Sequence, residues 1–180
     1  MNLIVAVDNN WGIGHQDRLL FRISDDLKRF RALTLGKTVI LGRRTLQTFP
    51  GGRPLDKRTN IILTRSADYT AEQAIICRSI SELAKVVKGM NSENIFVIGG
   101  AMVYRQLLPY CQYAYVTKID AEDLADSAIT NLDCDSGWQL VSCEQHHTDQ
   151  AWSESAQEPV SLNFSFCLYR QIAPKVFSDD

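Results

Sequence analysis

The sequence offers little to metal, disulfide or membrane chemistry. Its three histidines are His15 and the neighbours His146 and His147, without the helical HxxxH or Cys/His spacing of a zinc site. On a strand, the adjacent pair would face opposite sides and serve as surface polarity. The five cysteines, Cys77, Cys111, Cys134, Cys143 and Cys167, are an odd, scattered set with no CxxC. Free thiols in a reducing compartment are therefore expected. No apolar run approaches the roughly 20 residues that cross a bilayer. The start, MNLIVAVDNN, lacks the basic, apolar and cleavage regions of a signal peptide, so a cytoplasmic location is expected. An excess of one charge is also missing. Nineteen basic against 21 acidic residues leave −2, which argues against a nucleic-acid or membrane-surface partner. No serine stands in a nucleophile elbow. No GxGxxG opens a helix, which counts against a conventional Rossmann domain.

What is present is a regular alternation. At 180 residues the chain is expected to form one domain with a substantial core. Continuous apolar runs read as buried strands at Leu3–Val7, Thr38–Leu41, Asn60–Leu63, Ala74–Ile76 and Ile95–Ile98, with an alternating strand at Tyr113–Ile119. Helices are read at Ser81–Lys88, with Gly89 past its end, and at Ala101–Leu108 before Pro109. The segments Trp138–Glu144 and Val160–Tyr169 read as an antiparallel hairpin joined by the polar linker HHTDQAWSESAQEP. The predicted class is thus α/β: a single domain over 1–170 with a mostly parallel central sheet flanked by helices, plus the C-terminal hairpin. A tail, 171–180, is expected to be loosely attached or disordered. With no exposed apolar stripe, a monomer is expected.

The stretch Leu19–Leu35, LLFRISDDLKRFRALTL, organises the rest. Ser24 is read as a helix N-cap. Leu27, Phe30 and Leu33 then form an apolar stripe, with Lys28, Arg29 and Arg31 pointing elsewhere. Asp25 is placed to pair with Arg29 on the solvent face. Asp26 stands four residues before Phe30 and seven before Leu33, so it shares the buried stripe. A carboxylate facing inward costs free energy unless something binds it. Burial raises its pKa, which suits proton chemistry or recognition of an amidine-like ligand. Asp26 is the first candidate for chemistry. The long loop DNNWGIGHQDR before it reads as a lid.

Three strand ends repeat a theme: Gly42-Arg43-Arg44-Thr45, Thr64-Arg65-Ser66 and Arg78-Ser79. Each sets guanidinium beside hydroxyl where backbone N–H groups open a turn, and ligands of open α/β sheets bind at such carboxyl ends. Together they point to a phosphorylated nucleotide, and the several arginines favour NADP over NAD. Gly99-Gly100, between a strand and a helix, would admit a diphosphate closely. Arg53 and Arg58 flank a loop, and either could clamp a substrate carboxylate.

The combination of inward acid, lid and phosphate cradle, with its order along the chain, resembles dihydrofolate reductases. The resemblance spans roughly Asn2 to Arg170. It rests on Asn10–Gly14, Asp26-Leu27 with Phe30, TLGKTVILGRRT, GGRPL with RTNIILT, VIGGAMVY, and YVTKIDAE with Asp126. It implies that Asp26 is the acid that pairs with the pterin 2-amino group and N3 and assists protonation at N5. Thr117 would support that acid. Ile4, Phe30, Ile98 and Phe21 would contact substrate, and Arg58 would hold the glutamate α-carboxylate. NADPH would be bound by Arg43, Arg44, Thr45, Thr64, Arg65 and Arg78, with further contacts from Ala6, Ile13 and Gly42. Gly99-Gly100 would be joined by a cis peptide beside the cofactor, Tyr104 would lie near the nicotinamide, and Leu19 would ride in the closing loop.

The chain departs from the family pattern in places. Leu20-Phe21 replaces a common Pro-Trp, Met102 stands where some members have Arg, and Ala128-Ile129-Thr130 replaces a commoner aromatic-Pro sequence. The implied activity is NADPH-dependent reduction of 7,8-dihydrofolate, open to antifolate inhibition. Two rivals are the related pyrimidinone reductase of riboflavin synthesis and a catalytically silent nucleotide binder. The first would not be expected to combine Asp26 with Arg58, and the second would bind NADPH without turnover.

Overall fold

The apolar runs become strands because β-branched and aliphatic side chains fit a pleated surface covered on both sides. The computed structural model describes residues 1–177. In order, the elements are β1 (Asn2–Val7), β2 (Gly12–Gly14), β3 (Phe21–Arg22), α1 (Ser24–Thr34), β4 (Thr38–Gly42), α2 (Arg43–Thr48), β5 (Thr59–Leu63) and β6 (Ala74–Cys77). They continue as α3 (Ile80–Val87), β7 (Ile95–Gly99), α4 (Ala101–Leu107), β8 (Tyr113–Ile119), β9 (Ser127–Ala128), β10 (Trp138–Ser153) and β11 (Glu158–Gln171).

One 9-stranded sheet runs in the order β3-β10-β11-β8-β1-β7-β4-β5-β6, and β2 with β9 forms a separate two-stranded ribbon. From β8 to β6 all neighbours are parallel, while β11, β10 and β3 join antiparallel. The expected α/β class, mostly parallel sheet and C-terminal hairpin are all present. Strand alternation divides the core. Leu3, Val5, Ile40, Ile61 and Val97 pack on one face with Val103 and Leu107 of α4. Ile4, Val39, Leu41, Ile62, Phe96 and Ile98 pack on the other, against Phe30 and Leu33 of α1.

Several local expectations differ from the structure. Ser24 is the first residue of α1 and not its cap. Ile23 holds that position in extended geometry, and no side chain caps the helix. The reason lies upstream: Phe21 and Arg22 pair with Ser153 and Trp152 of β10, so the chain enters α1 already fixed. Asp25 pairs with Lys28 at 2.9 Å rather than with Arg29. Arg29 instead turns toward the sheet, 4.3 Å above the Phe166 ring. Leu27, read as part of the buried stripe, is 47% exposed.

The hairpin is longer than expected. Most of the linker HHTDQAWSESAQEP is strand, and His147 pairs with Asn163 and Ala151 with Val160. Its polarity is that of a strand wetted on its outer face, a pattern easily read as loop. The register of the hairpin sets Cys143 opposite Cys167, and the two are joined by a disulfide. Five free thiols were expected, whereas Cys77, Cys111 and Cys134 are the free ones. His146 and His147 do face opposite sides: His146 stacks on Phe164, and His147 meets Asn163 and Asp149.

After Gln171 the chain is held to the body. Ile172 N–H donates to Gly137 O at 2.9 Å and Lys175 N–H to Pro109 O at 2.8 Å. Phe177 stacks on Tyr110 with ring centroids 4.4 Å apart. The end of the expected tail, residues 178–180, lies outside the described residues. Among the described residues no helix is long and apolar enough to cross a membrane, and no group of acidic, His or Cys side chains could hold a metal ion.

Candidate active site

A cleft of about 950 Å³ opens where the parallel strands end, the position at which open α/β sheets bind ligands. Each strand end supplies a part. β4 passes through Gly42 into Arg43, Arg44 and Thr45, the first turn of α2. β5 delivers Thr64, Arg65 and Ser66, and β6 delivers Arg78 and Ser79. β7 delivers Gly99 and Gly100, and β1 contributes Ala6, with Ile13 and Leu19 reaching in from the segment that follows β1.

These groups are positioned before any ligand arrives. Arg78 donates from Nε at 3.2 Å and from its terminal nitrogen at 2.7 Å to Ala67 O, which fixes the guanidinium plane. Ser79 caps α3 by accepting from Glu82 N–H at 3.0 Å, and Ser66 N–H donates to Thr64 Oγ1 at 3.2 Å. The Gly99-Gly100 peptide is cis, and Gly99 has φ +131, a conformation open to glycine. A Cβ on Gly100 would stand 3.0 Å from Thr45 Oγ1, so the glycine pair and α2 form one close-packed floor. Tyr104 is buried, and its hydroxyl donates to Ile4 O at 2.8 Å. Burial pushes its phenol far above the usual range, so it remains a neutral donor.

The acid stands beside this cleft. Asp26 lies in the first turn of α1, and Thr117 Oγ1, from the middle of β8, donates to its Oδ1 at 2.6 Å. Thr117 is fully enclosed because β8 is flanked by β1 and β11, where its neighbours are Ala6 and Phe166. Burial raises the Asp26 pKa above the ordinary carboxylate value, while the Thr117 hydrogen bond and the Arg29 guanidinium oppose that rise. Such an acid can hold a proton nearer neutrality or, ionised, accept two parallel N–H donors from a ring.

The structure gathers Ile4, Phe30 and Ile98 into one apolar cluster. Phe21 belongs to a different cluster, with Ile119 and Phe164. Arg58 lies away from the cleft, at the far end of α1. Its Nε donates to Thr34 Oγ1 at 3.2 Å and its terminal nitrogen to Asp56 O at 2.8 Å. Burial and the neighbouring Arg31 lower its pKa, so the two guanidiniums together favour an anion. Met102 lines the cleft and is 59% exposed.

The loop after β1 is organised by Asp8, which the sequence offered only as one polar loop residue. Asp8 is buried, and its Oδ1 accepts from Asn10 N–H at 2.9 Å and Gly12 N–H at 2.7 Å. Its Oδ2 accepts from Asp123 N–H at 3.3 Å. A Cβ on Gly12 would fall 2.6 Å from the Ala125 side chain. The one usable signal was Asp two residues before Asn10, an Asx-turn spacing. Further along, Asp126 Oδ2 accepts from Gln16 N–H at 2.7 Å, and β2 pairs with β9. On its other side this segment meets the hairpin, where Glu154 pairs with Arg22 at 2.5 Å and with Arg18 at 3.7 Å.

Comparison with known proteins agrees with this layout. A family model described as dihydrofolate reductase matches residues 1–163. Dihydrofolate reductases of Bacillus subtilis and Staphylococcus haemolyticus are 35% and 37% identical over 150 residues, covering 83% of this chain and 86% and 87% of theirs. The structure of an Enterococcus faecalis dihydrofolate reductase, complexed with NADP(H) and RAB-propyl, superposes with a TM-score of 0.80 at 28% identity, covering 95% of both chains. With the acid, the glycine pair and the arginine-lined strand ends in place, the chain belongs to the dihydrofolate reductase family.

Proposed function

We propose that this chain reduces 7,8-dihydrofolate to 5,6,7,8-tetrahydrofolate at the expense of NADPH. The observation that carries the reading is the Thr117–Asp26 hydrogen bond of 2.6 Å, together with a cleft edged with arginines at the strand ends. The donor set suits a dinucleotide with an extra phosphate. Arg43, Arg44 and Thr45 at the start of α2, with Thr64, Arg65 and Arg78, supply guanidinium, hydroxyl and backbone N–H groups. NADPH, when bound there, supplies a hydride.

The remaining work is done by this chain's own side chains. Asp26 as carboxylate accepts from the pterin 2-amino group and N3, which fixes the ring. Thr117 holds the carboxylate in register. Ile4, Phe30 and Ile98 cover the ring and side chain, and Arg58 takes a terminal carboxylate. Gly99 and Gly100 let the nicotinamide end approach without a Cβ in the way, and the lid with Ile13 and Leu19 excludes water. With burial raising its pKa, Asp26 retains a proton further toward neutral pH and so assists delivery to N5. Catalysis is then largely positioning of the two reacting carbons. The partners are small molecules, including 2,4-diaminopyrimidine antifolates, and the expected form is a monomer in the cytoplasm.

The test is NADPH oxidation followed by absorbance with and without dihydrofolate. Dihydrofolate-dependent loss of signal, blocked by a 2,4-diaminopyrimidine, is the expected result. Saturable NADPH binding without that loss would overturn the reading.

A further inference from the structure

Arg29 is the residue of α1 whose position is hardest to explain as packing alone. It stands one helical turn from Asp26, and its guanidinium lies 4.3 Å from the Phe166 ring centroid and 5.8 Å from that of Tyr115. One terminal nitrogen is enclosed without a hydrogen-bond partner. Enclosing a guanidinium nitrogen unpaired costs free energy, and a neutral side chain of similar length would fill the same space over Phe166. What a neutral side chain lacks is charge. The same strand residue that carries Arg29, Phe166, is the cross-strand neighbour of Thr117, so the guanidinium and the hydroxyl that bonds Asp26 stand on adjoining residues of neighbouring strands.

We propose that Arg29 is a positioning residue for the family's acid, a built-in counter-charge that acts on the Asp26 carboxylate. The proposal rests on Asp26 being the acid of the reaction. The groups that face the pair are few. Thr117 of β8 bonds Asp26 directly, and the buried Tyr104 of α4 senses its charge. Tyr115 of β8 and Glu144 of β10 act on Arg29. His146 of β10 meets the Phe166 ring at a tilt, with centroids 4.7 Å apart, and lies 3.5 Å from Glu144. Burial and Asp26 pull the Arg29 guanidinium in opposite directions, burial more strongly, but an arginine remains charged throughout. It therefore favours the ionised acid that the pterin ring needs as an acceptor.

The full-length protein labelled with carboxyl-¹³C aspartate tests this, with Asp26→Asn identifying the Asp26 resonance. The Asp26 midpoint is expected to move up in Arg29→Met and in Arg29→Gln, and to return in Arg29→Lys. In parallel, KM for dihydrofolate at neutral pH should rise about two- to fivefold in Arg29→Met, with kcat changed less, and recover in Arg29→Lys. An unchanged midpoint in both neutral variants overturns the proposal. So does an equal shift in the lysine variant, which would assign the effect to lost stacking, or a shift reproduced by His146→Asn with none in Arg29→Met. Because the resonance is read without turnover, failure of the functional reading shows separately, as activity retained in Asp26→Asn.

Discussion

The two halves of the sheet solve different problems with different sequences. In the parallel half β7 is buried at every residue, and β4 and β5 are buried through their middles. β10, by contrast, is exposed along most of its length and buried chiefly at its two ends. The parallel half holds fixed groups around a cleft, and its strands cannot shift without opening the core. The hairpin anchors the segment that leads into α1: β3 pairs with its far end, and Glu154 meets Arg18 and Arg22. The acid belongs to both halves. Asp26 is bonded by Thr117 of β8 in the first, while its guanidinium neighbour Arg29 lies over Phe166 of β11 in the second.

That division can be broken most severely at the acid. Asp26→Asn should lower dihydrofolate-dependent NADPH oxidation at neutral pH by about 10²- to 10⁴-fold, with the cofactor still bound. The same variant should be more stable than the parent at neutral pH. The folded state raises the Asp26 pKa, so between the unfolded and folded values it holds a proton that the unfolded chain releases, and stability falls as pH rises through that window. Asn removes the loss. Thermal melts from pH 4 to pH 7 should show the variant's advantage growing, and an advantage that shrinks would contradict the buried-acid account.

Next in size is the core of the parallel half. Ile40 is wholly buried, and Ile40→Ala should cost about 2–5 kcal/mol in urea unfolding. Arg65→Met should then weaken NADPH binding by roughly tenfold through loss of a charge-assisted phosphate contact, with NADH binding little altered. The smallest effect belongs to the hairpin's outer face. Val141 is 53% exposed, and Val141→Ser should change stability by no more than about 0.5 kcal/mol. A Val141 cost matching that of Ile40 would erase the contrast between the halves.

The same contrast decides what could be read from the sequence. A strand buried on both faces announces itself as an unbroken apolar run, so β1, β4, β5 and β7 were legible to within a residue or two. The strand-end arginines followed, because motif and position coincide. β10 hides its full length, since HHTDQ is polar wherever solvent wets it, and without the turn position the register that faces Cys143 to Cys167 could not be read. Asp26 was legible from helical spacing alone, whereas Leu27 and Arg29 were misplaced by the same rule. The spacing gives a stripe, but the hairpin's Phe166 selects which side of the stripe is covered. Asp8 was invisible because its partners are backbone N–H groups brought in by a distant loop.

The order of strands has a consequence for synthesis. β10 reaches the sheet only through β11, which lies between it and β8. As the nascent chain leaves the ribosome, the parallel half and its cleft can assemble before the last strand emerges. Until Phe166 is free of the exit tunnel, neither the aromatic platform under Arg29 nor the enclosure of Thr117 exists. A truncated or stalled chain would therefore leave Thr117, and the acid it bonds, without the strand that covers them.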